Sequence, residues 1–109
     1  MRIEVTEEFI RSGSSAFGVD VAVHHDRNAA QAAGLRHIIM STPHLSALME
    51  AVVVSTFGGR VRDLRISMIR PVFAGTTVEI DVAQTHAGWA VTMTDVEQPD
   101  RALCAAACS

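Results

Sequence analysis

The chain has 109 residues, the length of one domain with a single core, and 49% of them are hydrophobic against 19% charged. Its net charge is −3 and it has no run of basic residues, so the sequence lacks the positive surface by which proteins bind nucleic acids. The charged start "MRIEVTEEFIRSG" predicts no signal peptide, and no stretch approaches the roughly 20 apolar residues of a membrane-spanning helix. We therefore expect a single domain over residues 1–109, located in the cytoplasm. Because small monomers rarely leave large apolar patches in water, the apolar excess also predicts a dimer or higher oligomer.

The N-terminal part of the chain ends in a cluster of polar side chains. The segment "FIRSGSSAF" predicts a strand or a short helix, and "VDVAVHHDRNAAQAAG" then passes from an apolar run into an alanine-rich one at His24, His25 and Asp26. Asp26 is typical of a helix N-cap, and Gly34 is typical of a helix end. Since neighbouring side chains of an extended segment diverge, we expect His25 to point away from His24.

The clearest helix signal is "TPHLSALMEAVVVSTFGG". Thr42 is the predicted N-cap, Pro43 suits the first helical position, and Gly58 follows the last one. Apolar residues occupy several faces of this segment, so we expect the helix to be enclosed on most sides.

The second half of the chain shows the two-residue alternation of strands. Alternating apolar side chains predict three strands at 64–69, 78–82 and 91–94, and "RALCAAACS" adds a fourth after an "EQPD" turn. In a strand, Cys104 and Cys108 are too far apart for a disulfide, so we expect buried free thiols. An antiparallel sheet curved around one apolar helix is the α+β arrangement that buries both partners.

These features together resemble the hot-dog fold of MaoC-like hydratases and dehydratases. The run from Val23 to Gly34 is similar to the pattern "VHHDR(D/N)xAxxxG" of actinobacterial enoyl-CoA hydratase subunits of steroid side-chain degradation. "RPVFAGTTVEI" is similar to the family's P-x-x-x-G-D-T-V connection, with Pro71, Gly75 and Val78 matching. The resemblance covers most of the chain and implies one hot-dog domain, in which a curved antiparallel sheet wraps a central helix.

The resemblance also implies a reaction and a catalytic pair. The family hydrates 2-enoyl thioesters, or dehydrates 3-hydroxyacyl thioesters, with an aspartate and a histidine five residues later that share the catalytic water. His24 matches the histidine because Asp26 completes an H-x-D pattern, and Val19 then stands at the aspartate position. Asp20 lies one residue further, which in an extended segment turns its side chain to the opposite face. Either a bulge brings Asp20 into the site, or the pair is broken.

A second implied element of the site is the start of the central helix, where backbone N–H groups of the family polarise the thioester carbonyl. Many members have His-Gly where this chain has Ser41-Thr42. A helix N-terminus offers free N–H donors whatever its side chains, so Thr42 or His44 can serve, whereas Pro43 has no N–H. We therefore assign substrate binding to Ser41, Thr42 and His44 at the helix start, and to Val19.

Other kinds of site find less support in the sequence. A metal site needs three or four converging ligands, and no motif indicates a covalent nucleophile or a phosphate loop, so we expect no metal and no cofactor. Four arginines, Arg60, Arg62, Arg65 and Arg70, either contact a phosphate of CoA or of a carrier protein or form a solvated strand edge. The solvated edge is the favoured interpretation.

Three functions follow. The first is a hydro-lyase that acts on an acyl-CoA or acyl-carrier-protein substrate, with His24 moving the proton and Asp20 in place of the missing carboxylate. The second, motivated by Val19, is a non-catalytic hot-dog subunit that pairs with an active homologue. The third is a natural-product cyclase or isomerase, for which one histidine is enough. The expected partners are a second copy or a second hot-dog subunit, and neither nucleic acid nor membrane.

Overall fold

The computed structural model describes residues 1–109 and contains one five-stranded antiparallel sheet against which a long helix packs. The elements in chain order are β1 (Arg2–Val5), α1 (Glu7–Ala16), a one-turn 3₁₀ helix (Ala22–His24), α2 (Arg27–Ala32), α3 (Thr42–Phe57), β2 (Leu64–Met68), β3 (Thr76–Thr85), β4 (Gly88–Asp95) and β5 (Gln98–Cys108). The strand order in the sheet is β1-β3-β4-β5-β2, and every neighbouring pair is antiparallel. The predicted α+β arrangement of a central helix and an antiparallel sheet is confirmed.

The core forms where the apolar side of the sheet meets α3. Leu45 and Met49 of α3 are fully buried, as are Met93 of β4 and Cys104 of β5. Full burial of such a large side chain contributes about 1.5–3 kcal/mol, so this contact anchors α3 to the sheet.

The expectation that α3 is enclosed on most sides is wrong for the single chain. Val54 is 38% exposed and Phe57 is 42% exposed, although the opposite face of the same helix is buried. The sheet of one chain covers only one side of the helix, because strands lie on that side alone. The apolar residues of the other side remain open.

The N-terminal segment forms a helix, α1, and a strand that the sequence analysis did not predict precedes it. Thr6 caps α1, since its side chain accepts a hydrogen bond from the N–H of Phe9 at 3.0 Å. The four residues of β1 pair with the start of β3, between Arg2 opposite Glu79 and Val5 opposite Thr76. So short a segment has too few alternations to stand out in the sequence.

The turn before β5 lies earlier than predicted. Gln98 already belongs to β5, and the turn is closed by Asp95, whose Oδ1 accepts a hydrogen bond from the N–H of Glu97 at 2.9 Å. Pro99 is tolerated in the strand because β2 pairs with β5 only from Cys104 onward, which leaves no partner for an N–H at position 99 on that side.

The last strand carries both cysteines, and both are free and buried, as predicted. Burial raises the pKa of the Cys104 thiol to about 11, so this side chain is an unreactive part of the core.

None of the helices has the length and apolarity needed to cross a lipid bilayer.

Candidate functional site

The segment that holds His24 is a short 3₁₀ turn fixed at two points. The N–H of Val19 donates to the carbonyl of Ser14 at 2.8 Å, which ties the start of the segment to α1. The N–H of Ile39 donates to the carbonyl of Val23 at 3.1 Å, which ties its end to the chain just before α3. The 3₁₀ turn therefore lies between α1 and the start of α3.

His24 is half-buried, and one of its ring nitrogens is committed to the backbone. Its Nδ1 lies 2.7 Å from the carbonyl oxygen of Ile39. Because a carbonyl oxygen only accepts hydrogen bonds, Nδ1 must carry the proton that it donates. In the neutral ring Nε2 then has a free lone pair, which is the form a general base requires.

His25, next in the chain, is held by a different segment. Its Nε2 lies 2.6 Å from the carbonyl oxygen of Val19, and its own carbonyl accepts a hydrogen bond from Nε of Arg11 at 2.8 Å. These two bonds close the loop from Val19 to His25 and fasten it to α1. In the structure His25 supports the conformation of the segment that carries His24.

Asp26 begins α2, as predicted. Its Oδ1 accepts a hydrogen bond from the N–H of Asn28 at 2.9 Å, and its backbone is extended, as at an N-cap. Its carboxylate is therefore occupied in capping the helix.

Asp20, the predicted catalytic carboxylate, lies on the exposed side of the loop between α1 and the 3₁₀ turn. The hydrogen bonds of His24 and His25 go to backbone carbonyls, so neither ring is paired with this carboxylate in the single chain. Val19, at the family's aspartate position, is half-buried beside it. The assignment of Asp20 to catalysis stays a prediction.

The start of α3 corrects the predicted N-cap by one residue. Ser41, not Thr42, is the N-cap, because its backbone is extended and its carbonyl accepts the first helical hydrogen bond, from Leu45 at 3.0 Å. Pro43 is consequently the second helical residue. The Thr42 hydroxyl donates to Sδ of Met68 on β2 at 2.8 Å.

This helix start has polar groups without partners. The Ser41 side chain makes no capping bond, and its hydroxyl is buried and unpaired in a residue that is 2% exposed. The N–H groups of Thr42 and His44 precede the first helical hydrogen bond, and such groups carry the positive end of the helix dipole. The site can therefore donate hydrogen bonds to an anionic or polarised oxygen.

His44 packs into the junction between α3 and α1. Its ring centroid lies 4.7 Å from that of Phe9, and its Nδ1 is buried without a hydrogen-bond partner. Burial lowers the pKa of His44, so the neutral ring is favoured. The ring lies so close to Gly13 that any Cβ at that position would overlap it.

The close approach of the His44 ring leaves no space for a side chain at Gly13. Gly13→Ala is expected to lower the free energy of unfolding by about 1–2 kcal/mol, although alanine favours an α-helix over glycine, because the added methyl group overlaps the His44 ring. Chemical denaturation of Gly13→Ala, His44→Ala and the double variant measures the coupling. The double variant should be more stable than Gly13→Ala alone, and additive effects would contradict the predicted overlap.

A charged group on α1 links this helix to the same region. Oε1 of Glu7 lies 3.0 Å from Nε2 of His37, and Oε2 of Glu7 lies 3.6 Å from Nη1 of Arg11, whose Nε donates to the carbonyl of His25. The sequence analysis missed Gly13, Arg11 and the carbonyl of Ile39. Backbone groups and a helical glycine leave no chemical signature in a sequence.

The depression that borders this region is open and shallow. It has a volume of about 190 Å³ and is lined by Ile39, Met68, Ile69, Arg70 and Pro71. Ile39 is the residue that anchors His24, and Met68 is the residue that contacts Thr42.

No group of three or more His, Cys, Asp or Glu side chains is arranged to hold a metal ion.

Comparison with solved structures identifies the fold. The chain superposes on a chain of the ChsH1-ChsH2 complex from Mycobacterium tuberculosis with a TM-score of 0.85 and 21% identity, covering 99% of this chain and 88% of that one. For HtdX of the same organism the TM-score is 0.84 with 22% identity, covering 97% of this chain and 45% of that one. For the R-hydratase PhaJ1 from Pseudomonas aeruginosa the TM-score is 0.78 with 16% identity, covering 99% of this chain and 74% of that one. At these identities the likeness establishes the fold alone.

The sequence itself establishes the family. No curated protein sequence matches the chain. The family model described as "MaoC like domain" matches residues 21–102, a range that includes His24, the start of α3 and most of the sheet. The chain therefore belongs to the family of MaoC-like dehydratase domains.

Proposed function

We propose that this chain is a subunit of an enoyl-thioester hydratase, or of a 3-hydroxyacyl-thioester dehydratase in the reverse direction. The observation that carries the proposal is the hydrogen bond between Nδ1 of His24 and the carbonyl of Ile39, which leaves Nε2 free and ties His24 to the chain two residues before Ser41, the N-cap of α3. Family membership supports the class of reaction. The solved neighbours include an R-hydratase and a 3R-hydroxyacyl-ACP dehydratase complex.

The proposed hydration needs only water and the groups of this chain. Nε2 of His24 accepts a proton from water while the water oxygen bonds to C3 of the enoyl thioester, and the electron pair of the double bond moves toward the thioester oxygen. The N–H groups of Thr42 and His44 stabilise the charge on that oxygen. The protonated Nε2 then returns the proton to C2, which completes the addition of water. Dehydration follows the same steps in reverse, and neither direction needs a cofactor.

A second group must orient the water, since His24 makes only one contact to it. Asp20 is the carboxylate of this chain that we propose for this role, and it requires a rearrangement of the loop around Val19. A carboxylate from a second subunit is the alternative source. Substitution Asp20→Asn distinguishes the two, because it lowers turnover only if this chain supplies the carboxylate.

The open face of α3 supports assembly with a second hot-dog subunit. β2 pairs with β5 on one side only, so its other edge is free, and Met68 and Ile69 beside it are 41% and 51% exposed. Val54 and Phe57 of α3 are further exposed apolar side chains, and a second subunit that packed against α3 and the edge of β2 would cover them. Two of the solved neighbours come from complexes, ChsH1-ChsH2 and HadBC. We propose that assembly takes place in the cytoplasm.

A non-catalytic subunit is the second candidate, and the lack of a hydrogen bond between Asp20 and His24 in the single chain favours it. The same experiment tests both functions. The chain is purified alone and co-purified with a candidate hot-dog subunit, and the hydration of trans-2-enoyl-CoA substrates of increasing chain length is followed by the loss of enoyl absorbance. Turnover by the chain alone supports the catalytic subunit. Turnover only in the complex, unchanged when His24 is replaced, would overturn it in favour of the non-catalytic one.

A further inference from the structure

Three arginines from distant parts of the sequence meet at one cleft. The cleft has a volume of about 310 Å³, and Arg36, Arg70 and Arg101 line it together with Phe73 and Asp95. It lies where the pairing of β4 with β5 shifts register near Asp95. Such irregularities redirect side chains at the edge of a sheet, and here they open a cleft beside the start of β5.

Each of the three guanidinium groups is held in place by an uncharged partner. Arg36 lies over the ring of Phe73, with 4.3 Å from its Cζ to the ring centroid. Nη1 of Arg70 donates to the carbonyl of Ala102 at 2.6 Å, and Nη1 of Arg101 donates to Oε1 of Gln98 at 3.3 Å. These bonds use one donor of Arg70 and one of Arg101, so most guanidinium donors remain free.

The positive charge of the cleft is not neutralised within the chain. The ion pairs of the structure involve Arg2, Arg11 and Arg65, and none of them includes an arginine of the cleft. Asp95 is the one carboxylate that lines the cleft, and its Oδ1 is engaged with the N–H of Glu97. The cleft therefore carries an excess of positive charge in a chain whose net charge is −3, which favours an anionic ligand over a cationic one.

The cleft continues into the depression beside the candidate active site. Arg70 and Pro71 line both of them. The N–H groups of Ile69 and Arg70 both donate to the carbonyl of Leu103 at 3.0 Å, which fixes this shared wall. One surface therefore leads from the three arginines to Ile39, the anchor of His24.

We propose that this arginine cleft binds a phosphate group of the thioester carrier, the phosphate or diphosphate that ends its pantetheine arm. The proposal rests on the proposed function for the identity of the carrier. Guanidinium groups bind phosphate oxygens through paired, charge-assisted hydrogen bonds, which suits a dianion better than a carboxylate. The structure also separates Arg70, half-buried in this cleft, from the exposed Arg60 and Arg62.

The test measures binding rather than turnover. The full chain, in the oligomer that it forms in solution, is titrated by calorimetry with CoA, 4′-phosphopantetheine, pantetheine and inorganic phosphate. CoA is expected to bind at least about tenfold more tightly than pantetheine, and this advantage should shrink as salt is added. Equal affinity for CoA and 4′-phosphopantetheine would indicate the single phosphate shared with carrier proteins, whereas tighter binding of CoA would indicate its diphosphate. Both results support the cleft.

Variants assign the binding to the cleft. Arg101→Gln and Arg36→Gln are each expected to weaken CoA binding about tenfold and to leave pantetheine binding unchanged. Arg62→Gln, which removes the same charge from an exposed residue outside the cleft, is the matched control and should have little effect. Equal weakening by all three variants, or equal affinity of the original chain for CoA and pantetheine, would overturn the proposal.

The outcome separates this inference from the proposed function. If the chain turns over enoyl-CoA, Arg101→Gln should raise KM for the CoA thioester at unchanged kcat and leave an N-acetylcysteamine thioester, which lacks phosphate, unaffected. If the chain has no turnover but Arg101→Gln still weakens CoA binding, the anion cleft stands and the catalytic proposal fails. If the chain turns over enoyl-CoA but Arg101→Gln changes neither KM nor CoA binding, the catalytic proposal stands and the anion cleft fails.

Discussion

Replacement of His24 by asparagine is expected to lower kcat for enoyl-thioester hydration by about 10²- to 10⁴-fold while the fold is retained. The amide nitrogen of asparagine occupies nearly the place of Nδ1, so the hydrogen bond to the carbonyl of Ile39 can persist. The base at Nε2 is lost, and no other group of the 3₁₀ turn replaces it. Steady-state kinetics on the assembly that shows turnover, together with the thermal unfolding midpoint, measures both effects.

The matched control is His86→Asn, which changes an exposed histidine in the turn between β3 and β4. Its kcat should equal that of the original chain. Turnover of His24→Asn within about twofold of the original would contradict the assignment of His24 as the proton carrier, whatever the fate of the fold.

Replacement of Thr42 by proline is expected to lower kcat by about 10²- to 10³-fold, the effect of removing one donor to a developing oxyanion. Proline lacks the N–H that we assign to the thioester oxygen, and it suits the first position of a helix. Ser41 has an extended backbone, with φ −78° and ψ 156°, which is the conformation favoured before a proline. The helix should therefore begin where it does now.

The control for this variant is Thr42→Val, which keeps the backbone N–H and removes only the hydroxyl contact to Met68. It should cost less than about tenfold in kcat, because that contact is exposed and weak. If Thr42→Val loses as much activity as Thr42→Pro, the hydroxyl rather than the backbone N–H is the important group, and our assignment of the N–H fails.

The elements that the sequence predicted well are those with strong local signals. The glycine after Phe57 and the long apolar run mark α3, and two-residue alternation marks β3 and β4. The N-cap was misplaced by one residue because serine and threonine are both good caps, and the extended backbone of Ser41 that decides between them leaves no mark on the residue types. The same reasoning applies to the turn before β5, which Asp95 rather than Pro99 determines.

The candidate site divides in the same way. His24 and the start of α3 were predicted from residue types and a family resemblance, and both lie within the range that the family model matches. Which nitrogen of His24 is free could not be predicted, because Nδ1 bonds to the backbone carbonyl of Ile39 and every residue type has such a carbonyl. The arginine cleft was also missed, since Arg36 and Arg101 come together only when the chain folds.

The sequence by itself determined the class of fold, the family, and the residue types available for proton transfer, because periodicity and short motifs are local properties of a chain. Tertiary structure alone decided that Nδ1 of His24 is anchored, that the Ser41 hydroxyl is buried without a partner, and that Asp20 is exposed and makes no bond to His24. Hydrogen bonds to backbone carbonyls, burial and the approach of distant side chains depend on how the elements pack, and no local pattern records them.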